Sequence, residues 1–261
     1  MTEDRFAHCL PALRELGLLP GTALAAFVVG STVRGWDHGA SDLDLVVVCS
    51  ERFRDDRLVR VTVPLSPGEV DAIGFMRDGR RWEVKYWLDD QVDQVLDKVS
   101  RDSFDQDRTA GARLVPTEEL LLGRLPTCHP LSGLPWVLRR RRQVEESAYQ
   151  AYVLTDMLTA ADTKAETAMG QLAAGDLPSA VLSARDAFGC AIDALLVGHG
   201  EYGALTKWRA RRFQAAKPDL LTFEEYWEIE TMRGYDPADP AQWVEQVVTL
   251  CKDIAMEVEI P

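Results

Sequence analysis

The stretch that decides the fold is FVVGSTVRGWDHGASDLDLVVV, residues 27–48. Two apolar runs of strand length flank a polar loop, and Asp42 and Asp44 stand at the start of the second run. Because side chains alternate along a strand, the two aspartates point to the same side and Leu43 points to the other. Two carboxylates this close repel each other and resist burial unless a cation neutralises them. The pair therefore predicts a divalent-cation site at the start of a buried strand.

The residue types around this pair indicate which cation and which chemistry. Hard carboxylate oxygens favour Mg²⁺, with nucleotide phosphates completing the octahedral shell, and the reaction would then be phosphoryl or nucleotidyl transfer. Gly30 and Ser31 end the first apolar run, where glycine lets a phosphate approach the backbone, and the serine hydroxyl or helix N-terminal amides can hold an anion. Arg34 follows one turn later and could add a charge-assisted contact. Residues 32–35 are long enough for only a turn or a short helix.

A two-metal site usually needs a third carboxylate from a neighbouring strand. In GRRWEVKYWL, residues 79–88, Trp82 and its alternate neighbours form an apolar face, so Glu83 and Lys85 stand on the other face. Glu83 is therefore the preferred third carboxylate, and Lys85 could pair with a carboxylate or reach a phosphate. Asp71, in EVDAIGF, is the competing candidate.

Composition excludes several classes of protein. The net charge is 29 − 42 = −13, which makes nucleic acid an unexpected partner, because duplex phosphates require a basic surface. The five cysteines are dispersed with no CxxC spacing, which argues against a disulfide framework and a structural zinc. No apolar run reaches the roughly 18–20 residues that span a bilayer, and the charged N-terminus lacks the apolar region of a secretory signal. We therefore expect a cytoplasmic protein with no membrane partner.

Residue patterns change along the chain from mixed to helical. The first 90 or so residues read as short strands and a helix, including a hairpin at Asp78-Gly79, and Asp89 is expected to cap a helix over residues 90–100. A connector rich in proline and glycine follows, and helical periodicity then dominates from Trp136 onward, with one helix expected over residues 136–174.

The segment GSTVRGWDHGASDLDLVVV resembles the signature of the polymerase-β-like nucleotidyltransferases, especially the small bacterial antibiotic nucleotidyltransferases of the aminoglycoside (kanamycin) type. The resemblance implies an α+β fold, with a nucleotidyltransferase-type mixed sheet and flanking helices in residues 1–115 and an all-α helical bundle for substrate binding in residues 116–261. It also implies a Mg-dependent enzyme that uses two Mg²⁺ ions and an NTP, most simply ATP, to transfer a nucleoside monophosphate.

The same resemblance assigns roles to individual residues. Gly30 and Ser31 would hold the triphosphate together with Ser41 of the Ser-Asp-Leu-Asp run, and Asp42 and Asp44 would bind the metals. Glu83 takes the position of the third carboxylate, which is often Asp in the family. This substitution leaves open whether Glu83 is the general base or only a metal ligand.

The helical tail suggests where further contacts could come from. Lys207, in the basic segment TKWRARRF, is the candidate to face the triphosphate, although a solvated basic face is the alternative. Glu224 and Glu228 share one helical face, and their repulsion could be offset by an amine-bearing acceptor. We therefore expect a small-molecule acceptor with a hydroxyl, such as an aminoglycoside-like antibiotic or a natural-product intermediate.

Two other functions fit the same residues. One is transfer of AMP to a protein or RNA partner, as in toxin–antitoxin systems, and the other is a degenerate nucleotide-binding regulator. A homodimer is also compatible with the sequence.

Overall fold

The computed structural model describes residues 5–39, 41–106, 114–203 and 205–261. Within these ranges the chain forms one six-stranded sheet and ten α-helices, which confirms the α+β class. The strands are β1 (Ala23–Val29), β2 (Leu43–Cys49), β3 (Val59–Thr62), β4 (Glu69–Arg77), β5 (Arg80–Leu88) and β6 (His129–Ser132). The helices are α1 (Cys9–Glu15), α2 (Asp89–Lys98), α3 (Arg101–Gln106), α4 (Pro116–Arg124), α5 (Leu134–Glu146), α6 (Tyr149–Ala173), α7 (Leu177–Gly198), α8 (Thr206–Ala216), α9 (Phe223–Glu230) and α10 (Pro240–Glu257). No helix in these ranges is both long enough and apolar enough to cross a membrane.

The sheet is mixed, with strand order β3-β4-β5-β2-β1-β6. Strands β2 and β5 run parallel, and the other neighbouring strands run antiparallel. The hairpin between β4 and β5 turns at Asp78 and Gly79, whose φ angles are +50° and +74°. Two successive positive φ values are the requirement of a type I′ turn, so the predicted Asp-Gly hairpin is confirmed.

The two faces of the sheet differ in what covers them. One face carries Leu45, Trp82 and Val84, which form a hydrophobic core with Leu13 of α1. The opposite face carries Phe27, whose ring stacks on Trp136 of α5 with centroids 6.1 Å apart. Asp44 and Glu83 alternate with these core residues, so they lie on the face that α5 covers in part.

The chain divides into two compact units. Of the described residues, the sheet unit contains 5–103 and 114–147, and the helical unit contains 104–106 and 148–261. The expected boundary at residue 115 differs from this division, because β6 pairs with β1 and extends the sheet. In addition, Arg140 of α5 makes ion pairs with Asp89 and Asp93 of α2. Residues 116–147 therefore pack with the sheet.

Helix α2 begins one residue earlier than expected and without the expected cap. Leu88 occupies the N-cap position, and Gln91 contributes its side-chain oxygen to the Leu88 backbone N–H at 3.0 Å. The Asp89 carboxylate instead accepts hydrogen bonds from Trp136 Nε1, at 2.7 Å, and from Arg140. The prediction that Asp89 caps α2 is therefore wrong, because a tertiary contact takes its carboxylate.

The helical unit has its own core, to which α6, α7 and α10 contribute most of the residues. Asp193 lies inside this unit and is 4% exposed. It pairs with Arg212 and with Arg209, whose NH2 lies 2.8 Å from Asp193 Oδ2. Asp193 of α7 is therefore part of a structural ion-pair network.

Candidate active site

The strand register brings Asp44 and Glu83 together. Asp44 of β2 is directly opposite Glu83 of β5 in the parallel pair, and directly opposite Val29 of β1 on the other side. Residues that are opposite each other on neighbouring strands point to the same face. Asp42 precedes β2 by one residue, and its side chain is 47% exposed, against 29% for Asp44 and 34% for Glu83. The three predicted carboxylates therefore lie at the same end of the two central strands β2 and β5, although within the described ranges no three such side chains converge closely enough to hold an ion.

Gly30 lies against the Asp44 carboxylate. Its φ angle is +81°, which is a left-handed conformation that side chains rarely adopt. A Cβ built on Gly30 would stand 2.9 Å from Asp44 Oδ2, a distance that would force the carboxylate to move. Glycine is thus required here for two reasons, and no side chain from this position fills the space beside Asp44.

The loop that follows Gly30 is a turn rather than a helix. The Gly35 N–H donates to the Thr32 carbonyl at 3.2 Å, and the Trp36 N–H donates to the Ser31 carbonyl at 2.9 Å. Residues 31–35 adopt turn conformations, which is one of the two outcomes expected for this short segment. Anion binding at Ser31 would therefore use turn amides and the hydroxyl, with no contribution from a helix dipole.

Arg80, at the start of β5, fixes the conformation of this loop. Its Nε donates to the Ser41 carbonyl at 3.0 Å. Its NH2 group lies 3.1 Å from Thr32 Oγ1 and 3.3 Å from the Asp42 carbonyl oxygen. One guanidinium therefore links the residues after Gly30 to the residues that carry the first aspartate.

The two remaining loop candidates have local contacts. The Ser41 hydroxyl accepts a hydrogen bond from the His38 N–H at 3.0 Å, so this side chain helps to close the loop. The Arg34 guanidinium lies over the Trp36 ring, 4.2 Å from its centroid. A role for either residue in nucleotide binding stays a prediction.

A cationic side chain accompanies each carboxylate. Lys85 Nζ lies 3.2 Å from Glu83 Oε1, Arg124 NH1 lies 3.5 Å from Asp44 Oδ2, and Arg81 Nε lies 4.0 Å from Asp42 Oδ2. At this end of β2 and β5, the three carboxylates are thus balanced by three cationic side chains. The site can accept an anionic ligand only together with some rearrangement of these pairs or with added positive charge.

The Asp44 carboxyl has a pKa above its ordinary value. Burial is the largest cause, because it penalises the charged form, and Arg124 opposes this shift. The neighbouring Glu83 and Asp42 raise the pKa of Asp44 further, and Lys85 lowers it. These contributions indicate that the three carboxylates interact electrostatically, and that a bound cation would relieve an existing penalty.

Asp71, the competing third carboxylate, is on the other face of the sheet. Asp71 of β4 is opposite Tyr86, and Gly74 of β4 is opposite Glu83. Because Asp71 and Gly74 are an odd number of residues apart on one strand, Asp71 and Glu83 point to opposite faces of the sheet. The Asp71 carboxylate is held by Arg52, whose Nε lies 2.8 Å from Oδ2. Asp71 is therefore a structural ion-pair partner and is not part of the Asp44 cluster.

Sequence reasoning did not identify Arg80 or Arg124 as site residues. Arg80 lies within the strand pattern of residues 79–88, and Arg124 lies in the connector rich in proline and glycine. Arg124 also lines a small cavity with Lys85, Trp87 and Leu121 on the face that carries Asp44. The α4 pattern, with Pro116 at the first turn and leucines at residues 120–122, is the signal that could have revealed this helix.

Lys207 belongs to the helical unit. It lies in α8, and its ammonium stands 5.5 Å from the centre of the adjacent Trp208 ring. Its proposed contact with the triphosphate stays a prediction.

Comparisons with known proteins support the fold. No family model matches the chain, and no curated protein matches its sequence. Among solved structures, it is similar to a crystal structure described as a nucleotidyltransferase-like protein from Exiguobacterium sibiricum 255-15. The TM-score is 0.50 at 8% sequence identity, over 96% of this chain and 74% of the other. The chain therefore has a nucleotidyltransferase-like fold.

Proposed function

We propose that this protein is a nucleotidyltransferase that moves a nucleoside monophosphate, from ATP in the simplest case, to a hydroxyl group of a small molecule. The observation that carries the proposal is that Asp44 is directly opposite Glu83 in the parallel strand pair. This pair lies next to Gly30, which has no side chain, and the fold is nucleotidyltransferase-like. Half-buried carboxylates that face one another are costly unless positive charge neutralises them, and this pair lies where glycine lets a phosphate approach.

The residues fit Mg²⁺ in their chemistry. The donors are carboxylate oxygens, which Mg²⁺ prefers over nitrogen and sulfur ligands. Gly30 contributes no side chain to the space beside Asp44 Oδ2, which the Arg124 guanidinium approaches from α4. Within the described ranges, no three His, Cys, Asp or Glu side chains converge closely enough to hold an ion. The carboxylates have cationic partners instead. Asp42, Asp44 and Glu83 would hold Mg²⁺ only after their side chains move closer together.

The reaction breaks one phosphorus–oxygen bond and forms another. The acceptor hydroxyl oxygen attacks the α-phosphorus, and pyrophosphate leaves with the bridging oxygen. Bound Mg²⁺ would supply neutralisation of the charge that builds on the phosphates. Glu83 either accepts the hydroxyl proton or acts only as a ligand, and the two roles make different kinetic predictions.

The other residues bind and orient the nucleotide. The Ser31 hydroxyl and the amides of the 31–35 turn would donate to phosphate oxygens, and Arg80 holds that turn in place. Lys85 and Arg124, which pair with Glu83 and Asp44, would contact the phosphate oxygens of a bound nucleotide instead, because each cation is better paired with the more negative group. Arg34, Ser41 and Lys207 are proposed as further nucleotide contacts.

The acceptor is proposed to be small, and aminoglycoside-like amines should be tested first. The net charge of −13 disfavours an RNA acceptor and favours a cationic molecule. With such an acceptor, the enzyme would serve either the modification of an antibiotic or a biosynthetic step.

The test uses ATP labelled in the α- or the γ-phosphate. The protein is incubated with Mg²⁺, labelled ATP and a panel of hydroxylated metabolites and aminoglycosides, and then with a cell lysate. Label transfer from the α-phosphate alone to a small molecule, with release of pyrophosphate, is the expected result. Transfer from the γ-phosphate would contradict nucleotidyl transfer. Label on a protein or RNA band would favour the alternative acceptor, and nucleotide binding without transfer would favour the regulator.

A further inference from the structure

The helical unit contains a groove between α9 and α10 that is separate from the carboxylate site. Its volume is about 450 Å³, within the roughly 300–1,000 Å³ of small-molecule sites. Helical spacing explains why the two walls face each other, because the lining positions lie three and four residues apart on each helix. These lining residues are Glu225, Glu228 and Ile229 on α9, and Trp243, Gln246, Val247 and Leu250 on α10.

The floor of the groove is apolar. Leu221, Trp243 and Val247 line it, and all three are buried. The Trp243 indole is held edge-on to the Tyr235 ring, with centroids 5.7 Å apart. An apolar part of a ligand would therefore find apolar side chains to contact at the floor of this groove.

Packing fixes the orientation of α9. Tyr226 is 1% exposed and stacks on Phe213, with centroids 4.6 Å apart. Tyr226 points into the core and so fixes the rotation of α9, and the exposed residues Glu225 and Glu228 line the groove. The packing of Tyr226 therefore holds the α9 wall of the groove in place.

Of the polar side chains that line the groove, Glu225 and Glu228 are negatively charged and Gln246 is neutral. Glu225 accepts hydrogen bonds from the Thr222 N–H at 2.8 Å and from its hydroxyl at 2.7 Å. These bonds hold the pKa of Glu225 below its ordinary value, so the carboxylate stays ionised at neutral pH. No described residue donates a hydrogen bond to the Glu228 carboxylate, and the lining contains no lysine, arginine or histidine. The Glu228 carboxylate is therefore available to a cation, whereas one oxygen of Glu225 is already held by Thr222 at the start of α9.

We infer that this groove binds a small organic amine that has an apolar body, with the ammonium group between Glu225 and Glu228 and the apolar part against Trp243. The volume fits a small molecule, whereas the carboxylates exclude an acid and the apolar floor disfavours a purely hydrophilic polyamine. The inference does not depend on nucleotidyl transfer.

Gly234 gives a variant that blocks the groove without changing its charge. Gly234 is exposed, and its φ lies outside the left-handed region. A Cβ at this position would lie 3.7 Å from Glu228 Oε1, which is an ordinary contact. Gly234→Leu should therefore fold normally and extend a side chain into the ligand space. Gly234→Ala serves as the milder variant if the larger one unfolds at a lower temperature.

The experiment measures binding of phenylbutylamine to the full chain by isothermal titration calorimetry. Its alcohol analogue, phenylbutanol, and the hydrophilic polyamine spermidine are the matched probes. We expect saturable binding of the amine that is tighter than that of either probe. Glu228→Gln should weaken it about two- to fivefold, the range for one exposed ion pair. Gly234→Leu should abolish it. Glu224→Gln is the control, because it removes the same charge from α9 outside the groove lining.

Several results would overturn the inference. The first is that the amine shows no saturable binding, and the second is that phenylbutanol binds as tightly as the amine. The third is that Glu224→Gln and Glu228→Gln weaken amine binding equally. Retained binding in both Gly234 variants would place the amine elsewhere. Light scattering tests a different occupant: a dimer that dissociates in Gly234→Leu would assign the groove to a second copy of the chain. None of these results bears on the labelled-ATP assay.

Discussion

Gly30 shows at the scale of one residue how a backbone requirement becomes part of a site. Its positive φ ends β1, and its missing Cβ leaves room for Asp44 Oδ2. Any side chain here would therefore strain the backbone and displace the carboxylate. A Gly-Ser step before an Asp-x-Asp pattern indicated this arrangement, because both the turn and the strand are local features.

Glu83 and Asp71 should behave differently when each loses its charge. Glu83→Gln should lower kcat by about 10²-fold or more while nucleotide binding changes little, if Glu83 acts in the transition state. Asp71→Asn should instead lower the free energy of unfolding by about 1–3 kcal/mol, because Arg52 keeps Glu69 but loses Asp71, the less exposed of its two charged partners. Steady-state kinetics and urea unfolding measure the two effects. A silent Glu83→Gln together with a catalytic defect in Asp71→Asn would show that the wrong strand had been assigned.

The pKa of Asp44 should depend on Arg124. Burial raises this pKa, and the Arg124 guanidinium partly offsets the increase by favouring the carboxylate. In metal-free Arg124→Gln protein, the pKa of Asp44 should therefore rise further, as measured by carbon NMR titration of labelled aspartate. Arg81→Gln is the control, because Arg81 lies beside Asp42 instead. An unchanged or lower pKa in Arg124→Gln would contradict the electrostatic account.

At the scale of single elements, tertiary contacts override the local sequence signals for helix ends, as α2 and α5 show. Asp89 has the residue type and place of an N-cap, yet its carboxylate bonds to Trp136 and Arg140. The helix expected over residues 136–174 is two helices, α5 and α6, that meet at Ser147, whose ψ is 177°. No glycine or proline marks this break, so local sequence rules could not find it.

Asp89→Asn should destabilise the protein, and the loss should depend on pH. Burial raises the pKa of Asp89, but hydrogen bonds from Arg140 and Trp136 outweigh this, so the pKa lies below the ordinary 3.8. A lowered folded-state pKa adds stability above pH 3.8, and this stability is lost as pH falls through the folded value. We expect a cost of about 1–3 kcal/mol at neutral pH that shrinks below pH 4. Urea unfolding of wild type, Asp89→Asn and the exposed-site control Asp90→Asn measures it. A cost that is equal at pH 7 and pH 3, or equal in the control, would contradict the assignment.

At the scale of the whole molecule, the sequence identified the mixed sheet and the helical tail but placed their boundary too early. The segment HPLS of β6 has no strand periodicity of its own, and it lies among prolines and glycines that read as a connector. It is a strand because it pairs with β1. The same reason explains the missed cations: Arg80 and Arg124 reach the site through contacts between residues far apart in the chain. Local motifs predicted the carboxylates, whereas their counter-ions required the assembled fold.

The most direct test of the central claim is magnesium-dependent transfer of label from α-labelled ATP by wild type, Asp44→Asn and Asp78→Asn. Asp78 lies in the type I′ hairpin turn, where asparagine is equally suitable, so this control removes one aspartate charge without disturbing the fold. We predict that Asp78→Asn transfers label as wild type does, and that Asp44→Asn retains its thermal unfolding transition but transfers none. Full turnover by folded Asp44→Asn would contradict the active-site assignment.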